Sequence, residues 1–526
     1  MTRQPSPERE KLLSLSLVGD YMADAVSHSP MAWMLRSSIQ TYSRKDFRSR
    51  RSLSRIKMNF LMELHRVIKF WARKSTNLIV KELPQRANVI ADPFCGSGTT
   101  GFAGLYKNVD QIFLSDINPV SVFVTSTLLS KVTVSEEVLS NFQTLCQDIE
   151  DEVYIIGNSR VSYAVWATIF ICPRCGGKFR VRRFSNKVKC VKCGINLPPK
   201  FFSLDEELLC IFVENRGKVA KINDRKTLRE YLGQQDKLRL KWWYPQGTFE
   251  YPGSEIEFRN GPYRHMEIKE IFTKRNLYVV SRIYNEIERL WKNYPEQGDI
   301  LKLAFIASLA NATKMIPHAE SSGPSWKIPR YWIPNIREER NFCRTFIRRL
   351  KIVKDFKERL LATAIPNYGV NAFYDKQFIL RESSNSKNIT IFRSDARDAY
   401  VYLPECDFIV LDPPHYDQID YYELYYFWQK WLEGSIHDER FRDYGFWKNE
   451  LSVNNRIGHD LDYYNNSITE IVSSYAGILK KSGKLILILH NRDLSTLKDT
   501  IKNVRKKLNA FHLKSRTEWP SIPSSS

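Results

Sequence analysis

The sharpest chemical signal in the chain is Asp407–Pro414, DFIVLDPP, where an apolar run ends in Asp412-Pro413-Pro414 and continues into His415-Tyr416-Asp417. The run predicts a buried strand, and the prolines stop it. A carboxylate beside a backbone carbonyl at a strand tip can accept both hydrogens of one amine. The exocyclic amine of a nucleobase is a weak nucleophile because its lone pair is delocalised into the ring. Accepting both hydrogens draws the nitrogen toward a tetrahedral form whose lone pair can attack an electrophilic methyl group. Asp412 and the Pro413 carbonyl suit that task, with Pro414 shaping the turn, while His415 or Tyr416 could stack on an extruded base. An Asp-Pro-Pro turn is common by itself, so its meaning depends on what accompanies it.

A second constellation supplies the company. In ANVIADPFCGSGTTGFAGLYKNVDQIFLSDINP, Ala87 to Pro119, the apolar Val89-Ile90-Ala91 predicts a strand that stops at Asp92-Pro93-Phe94. The turn Cys95-Gly96-Ser97-Gly98 then opens a helix at Thr99-Thr100. Glycines let backbone pass close to a ligand, and the helix N-terminus offers unpaired N–H groups. A second predicted strand, Gln111–Ser115, ends in Asp116-Ile117-Asn118-Pro119. An acid about twenty residues beyond the glycines is placed to bond ribose hydroxyls. A phosphate-binding dinucleotide site is the competing reading, and the third glycine of that fingerprint is missing. The string Asp-Pro-Phe-x-Gly-Ser-Gly-Thr-Thr resembles motif I of the S-adenosylmethionine-dependent amino-methyltransferases that act on DNA, and Asp-Ile-Asn-Pro resembles their next cofactor motif. The cofactor set so drawn is Asp92, Pro93, Phe94, Gly96, Ser97, Gly98, Thr99, Asp116 and Asn118. Asp395 follows the strand-like Ile389–Phe392 and is positioned to reach the cofactor's adenine amine; as a bland alternative it is a surface acid.

A metal signal stands between these two. Cys172-Pro-Arg-Cys175 and Cys190-Val-Lys-Cys193 are two Cys-x-x-Cys knuckles, each followed by glycine. Four thiolates complete a tetrahedral, closed zinc site that holds structure and does no chemistry. Free-thiol pairs or disulfides are the alternative. The intervening FRVRRFSNKVK alternates enough to predict a β-hairpin.

The elements that must position these groups follow from the rest of the chain. Its 526 residues, 43% apolar, allow several domains, and a net charge of +22 predicts a polyanionic partner, nucleic acid or an acidic membrane surface. No long apolar span supports a membrane, and the short run Leu12–Val18 lacks the features of a secretion signal, so the chain reads as intracellular and cytoplasmic. A basic segment, Ser43–Lys57, is either a solvated link or a phosphate-tracking arm. Phe60–Leu83 predicts a helix carrying His65, Phe70, Trp71 and Lys74 before the first strand. Helices follow at Val120–Leu129 and Glu136–Val153. The next strand of the nucleotide fold comes only after roughly 250 residues, too long for a loop, so a domain is inserted there.

Within that insertion Phe272–Trp291 predicts an amphipathic helix and Ile300–Met315 a buried one. Trp326, Tyr331 and Trp332 lie in a proline-rich stretch and either stack on bases or pack. Arg337, Arg340, Arg344, Arg348 and Lys351 recur at helical steps opposite Phe342, Phe346, Leu350 and Val353. That pattern predicts one basic face, for phosphate contact or solvation alone.

DPPHYDQIDYYELYYFWQKWL, the knuckles after TIFICPRCGG, FTKRN and YWIPNIREERN together resemble the zinc-ribbon-containing adenine-specific DNA methylases, over most of the chain from about Phe60 to Trp519. The resemblance implies S-adenosylmethionine and structural Zn2+ as cofactors, duplex DNA with a flipped base as substrate, and a restriction or defence protein as a partner. It implies methyl transfer to an exocyclic amine, adenine N6 first, with cytosine N4, RNA, or an inactive DNA-binding form as alternatives. One position departs from the family: His415 stands where tyrosine or another large aromatic follows Asp-Pro-Pro. The expected fold is α/β, a Rossmann-like methyltransferase fold with an inserted zinc ribbon and mainly helical region. Its boundaries are a basic lead-in at 1–59, methyltransferase parts at 60–135 and 376–518, a helix and zinc ribbon at 136–205, a mainly helical target-recognition region at 206–375, and a disordered tail at 519–526.

Overall fold

Alternate residues of the apolar runs face two different cores. Ile90, Ile112, Leu114, Phe408, Val410 and Ile486 pack into one, and Ala91, Phe113, Ile409, Leu411, Leu485 and Leu487 into the other. A strand covered on both faces has no polar side to show, which is why these segments are continuously apolar. The computed structural model describes residues 12–16, 64–70, 73–181, 187–215, 217–251, 254–255, 266–318, 331–363, 368–374, 387–442, 445–491, 493–509 and 514–518. The basic segment Ser43–Lys57, Trp71, Trp326 and the tail from Trp519 lie outside them.

The large sheet begins with β1 (Leu12–Ser16), β2 (Val89–Asp92) and β3 (Gln111–Asp116). Three more belong to a smaller sheet, β4 (Ser159–Ile171), β5 (Ser203–Asn215) and β6 (Lys218–Ile222), joined by β7 (Ile336–Arg340). The large sheet resumes with β8 (Gly369–Phe373), β9 (Asn388–Arg393), β10 (Cys406–Leu411), β11 (Leu479–Ile488) and β12 (Lys514–Glu518). It has eight strands in the order β8-β9-β3-β2-β10-β11-β1-β12, all paired in parallel. Chain order reverses between β2 and β10, and such a switch point opens a crevice at the strands' carboxyl ends.

Helix α1 (Thr76–Glu82) precedes β2, and α2 (Thr99–Lys107) and α3 (Pro119–Leu129) follow β2 and β3. The α2 helix lies close on the sheet because Gly104 has no side chain; a β-carbon there would stand 2.7 Å from the Cδ1 atoms of both Ile90 and Ile112. Helices α4 (Glu136–Val153), α5 (Lys274–Asn293), α6 (Pro295–Leu309) and α7 (Phe342–Thr363) join the core on the Ile90 side. Helices α8 (Tyr421–Glu433), α9 (Leu461–Gly477) and α10 (Leu494–Asn509) complete the covering layers.

Several boundaries differ from expectation. The first 59 residues are not only a lead-in, because β1 inserts between β11 and β12 with Leu12 opposite Lys484 and Lys514. A five-residue run with alternating serines becomes a strand only through such distant partners. Region 206–375 holds more than helices: it also carries most of β5 and all of β6 and β7, and β8 already belongs to the large sheet. The smaller sheet runs β6-β5-β4-β7 in antiparallel register. Its interior holds a buried ion pair, Arg275 Nη1 to Glu339 Oε1 at 2.9 Å, with Tyr231 and Trp166 donating to the same carboxylate. The helix expected over Phe60–Leu83 is broken: Leu64–Val67 and α1 are helical, and the described residues 68–70 and 73–75 between them are not. No described helix is long and apolar enough to cross a membrane.

Candidate active site

The switch point is a cavity open to solvent, with walls from both halves of the large sheet. Asp92, Pro93, Phe94, Gly96, Ser97, Thr99, Asp116, Asn118 and Asp395 line it, and so do Asp412 and Pro414. The residues read as cofactor-binding and the first catalytic acid therefore meet in one space.

The glycine turn is held from inside. Gly96 N–H donates to Asp116 Oδ2 at 3.0 Å and Asn118 N–H to Asp116 Oδ1 at 2.9 Å, so the acid at the second strand tip braces the turn as well as facing the cavity. Gly96 and Gly98 have φ of 50° and 83°, where L side chains are strained. Gly98 supports rather than lines: a β-carbon on it would meet Thr125 at 3.0 Å. Asp92 accepts from Phe94 N–H at 2.9 Å and from the Thr100 hydroxyl. Burial pushes its carboxyl up to about 7, with the charges of Asp412 and Asp116 adding to the effect. Burial likewise pushes Asp116 up to about 6. Asp395 faces the cavity but is not a bare acid; Arg397 pairs with it at 2.6 Å.

At the catalytic tip the sequence expectations divide. The carbonyl of Pro413 has no hydrogen-bond partner among the described residues, whereas that of Pro414 accepts from Tyr464 Oη at 2.8 Å and from Tyr416 N–H at 3.2 Å. His415 is 5% exposed and does not line the cavity. Its Nε2 lies 2.8 Å from Lys74 Nζ, and burial, then Lys74 and His490, holds its pKa well below the usual imidazole value. Stacking of His415 on a base is thus corrected: the ring is committed to Lys74. Tyr416 is corrected too. With φ of 52° it turns into the opposite core, packs on Tyr464 and bonds Thr500 at 2.7 Å.

Sequence reasoning missed the aromatic wall of this cavity. Tyr421, Tyr422 and Tyr425 of α8 line it together with Phe70 and Phe446, and Phe70 packs on Tyr425 with ring centroids 5.2 Å apart. The Tyr421–Tyr425 spacing of four residues, directly after Asp-Pro-Pro, was a usable helical signal. Glu450 also lines the cavity and accepts from the N–H groups of Tyr421 and Tyr422, fixing the start of α8. The non-helical stretch before α1 brings in Arg73 and Lys74. Arg73 donates to Ser97 Oγ at 2.8 Å and to the Ile68 carbonyl at 2.9 Å. With the short helix ended at Val67, these two cations reach the cavity wall.

The four cysteines converge. All four Sγ atoms lie within 4.8 Å of one another, with Cys172 and Cys193 at 3.6 Å and Cys175 and Cys190 at 3.7 Å. These are too long for disulfides and close to the roughly 3.8 Å edge of a tetrahedron with metal–sulfur bonds of about 2.3 Å. Gly176 and Gly194 take positive φ, and their N–H groups close matching turns onto the carbonyls of Cys172 and Cys190. The expected hairpin between the knuckles is not formed by the described residues: Lys178–Arg180 pairs with β4, and Val188–Lys189 pairs with Asn196–Leu197.

The basic helix face is corrected in part. Arg337 and Arg340 lie on β7, not on a helix. Arg337 is 2% exposed, bonded to Thr168 at 2.7 Å and paired with Glu206. Arg340 pairs with Glu338 at 2.8 Å, and Arg344 with Glu214 and Glu150. Alternation of charge along β7 had the look of a helix face until β4 supplied its partner. Arg348 and Lys351, on α7, are exposed.

Residues 73–164 match the family model described as D12 class N6 adenine-specific DNA methyltransferase. That stretch carries Arg73, Lys74, the glycine turn and Asp116, and ends before Asp412. No curated protein and no solved structure matches the chain. The family match supports S-adenosylmethionine-dependent methylation of DNA adenine as the activity.

Proposed function

We propose that this chain transfers a methyl group from S-adenosylmethionine to N6 of adenine in DNA, with the cofactor against the glycine turn and the target base against the Asp-Pro-Pro turn. The observation that carries the reading is the shared cavity: Asp92 and Asp116 line it from one side of the switch point and Asp412 from the other. Asp92, the Gly96–Thr99 turn and Asp116 would hold the cofactor, which when bound supplies a methyl group on a positively charged sulfur. Asp412 and the carbonyl of Pro413 would accept hydrogen bonds from the two amine hydrogens and so orient the nitrogen's lone pair. The tyrosines of α8 offer flat apolar surface for a base turned out of its stack.

Four converging thiolates fit a structural zinc ion, with no position left for catalysis. The net charge of +22 fits a DNA partner. A cytoplasmic site of action and a restriction or defence partner complete the reading, resting on the family resemblance.

The deciding experiment separates binding from turnover. Asp412→Ala should bind S-adenosylmethionine nearly as the parent does while tritium transfer from labelled cofactor to duplex DNA falls by orders of magnitude. Label recovered on adenine N6 supports the reading. Label found only in RNA, or an Asp412→Ala protein as active as the parent, defeats it.

A further inference from the structure

We propose that Lys74 is the positioning residue of the catalytic tip, its ammonium holding the Asp412 carboxylate and the His415 imidazole in one buried cluster. The proposal rests on the reading of Asp412 as the group that receives the target amine. The Lys74 side chain is 6% exposed, and its Nζ lies 2.8 Å from His415 Nε2 and 3.6 Å from Asp412 Oδ1. A buried ammonium is costly unless opposite charge and hydrogen-bond acceptors compensate it. Here the imidazole accepts and the carboxylate supplies the charge. Because an ammonium only donates, Nε2 is the accepting nitrogen, which assigns the ring proton to Nδ1. A phenyl ring at this position would leave the donor unmet. That requirement gives a physical reason for histidine where the family resemblance leads one to expect an aromatic side chain.

Arg73 and Lys74 together tie the two halves of the site. Arg73 holds Ser97 in the glycine turn, and Lys74 holds the Asp-Pro-Pro turn, so two successive residues span cofactor and base positions. A cation this close to Asp412 favours its ionised, accepting form and limits its rotation. The other titratable groups facing Asp412 are Asp92 from β2, Tyr421 from α8 and Tyr464 from α9, and His490, beyond β11, faces His415.

The test uses the full chain, tritiated S-adenosylmethionine and long unmethylated duplex DNA copied in vitro, with equilibrium cofactor binding measured separately. Lys74→Met should lower the single-turnover methylation rate at saturating cofactor on the order of tenfold or more. The acid limb of its pH–rate profile should move up by about one pH unit, because the carboxylate loses its cation. Cofactor affinity should change far less than rate. Lys74→Arg keeps the charge and should return the acid limb toward the parent's. If Lys74→Met does not fold, His415→Gln and His415→Phe decide instead. The glutamine oxygen can accept from Lys74 and should preserve the limb, and phenylalanine cannot and should shift it.

An unaltered rate and acid limb in Lys74→Met overturns the proposal. So does a rate loss that saturating cofactor fully restores, or identical profiles for the two His415 variants. Asp412→Ala distinguishes the levels: full activity there removes the underlying reading, whereas an inactive Asp412→Ala beside an unaffected Lys74→Met removes only the role of Lys74.

Discussion

Asp92 and Asp412 leave neighbouring parallel strands into the same cavity. Strands β2 and β10 pair at Ile90↔Phe408 and Ala91↔Ile409; β2 ends in Asp92, β10 is followed directly by Asp412, and both aspartates line the space. Burial, with the charge on Asp412 contributing, pushes Asp92 up to about 7. Asp412 lies beside Lys74 instead. Two carboxylates on adjacent strands are thus set to different tasks by what surrounds them.

Cofactor binding should tighten as pH rises. The folded chain holds Asp92 up to about 7 and Asp116 up to about 6, against 3.8 for an ordinary aspartate. It therefore keeps protons that an unfolded chain has released, and each group's stability contribution is present at acid pH and declines as pH climbs through its folded value. A sulfonium nearby favours the ionised carboxylates. Titration calorimetry of S-adenosylmethionine between about pH 5 and pH 8, in buffers of differing ionisation heat, should show proton release and rising affinity. Affinity flat across that window contradicts the assignment.

Replacing His415 with tyrosine should harm the enzyme rather than improve it. The imidazole is buried on Lys74 and stays out of the cavity, and a phenol is larger than the space it leaves. Overpacking of this kind costs about 1–3 kcal/mol. Thermal denaturation and methylation rate should both fall; a variant as stable and active as the parent speaks against the packing described.

The base-stacking surface should reside on α8. Tyr421→Ala should lower methylation by about 1–3 kcal/mol of lost stacking while leaving cofactor affinity close to the parent's. Steady-state and cofactor-binding measurements on one preparation read both. Equal losses in the two would assign Tyr421 to the cofactor.

Metal analysis should find one zinc per chain. Removing it with a strong chelator, or substituting Cys172→Ser with Cys190→Ser, should destabilise the ribbon that continues β4 without touching the cavity. Metal-free protein with an unchanged melting profile refutes the site.

Of the five basic residues read as one face, Arg348 and Lys351 are the exposed ones. Changing both to alanine should flatten the dependence of DNA binding on salt by about one unit of slope each. Arg344→Ala should leave the slope alone and cost about 1 kcal/mol of stability, because its partners are Glu150 and Glu214 inside the chain.

What the sequence determined by itself was local. A glycine turn between a strand and a helix, Asp116 at the next strand tip, the Asp-Pro-Pro turn and paired cysteine knuckles each declare their geometry within a few residues. Turn backbone, helix start and ligand spacing are set by near neighbours, and the long gap before Ile389 forced an insertion.

The tertiary structure decided what depends on distant partners. Five residues at Leu12 become a strand only between Leu479–Ile488 and Lys514–Glu518. Arg337 turns from a solvated charge into a buried one only because Thr168 and Glu206 await it. Which way His415 and Tyr416 point was likewise undetermined by their types, since either ring can stack or pack. Lys74, 341 residues away along the chain, claims His415, and the opposite core with Thr500 claims Tyr416. A side chain's role follows from the groups that compensate its charge and fill its volume, and those are fixed when the chain closes on itself.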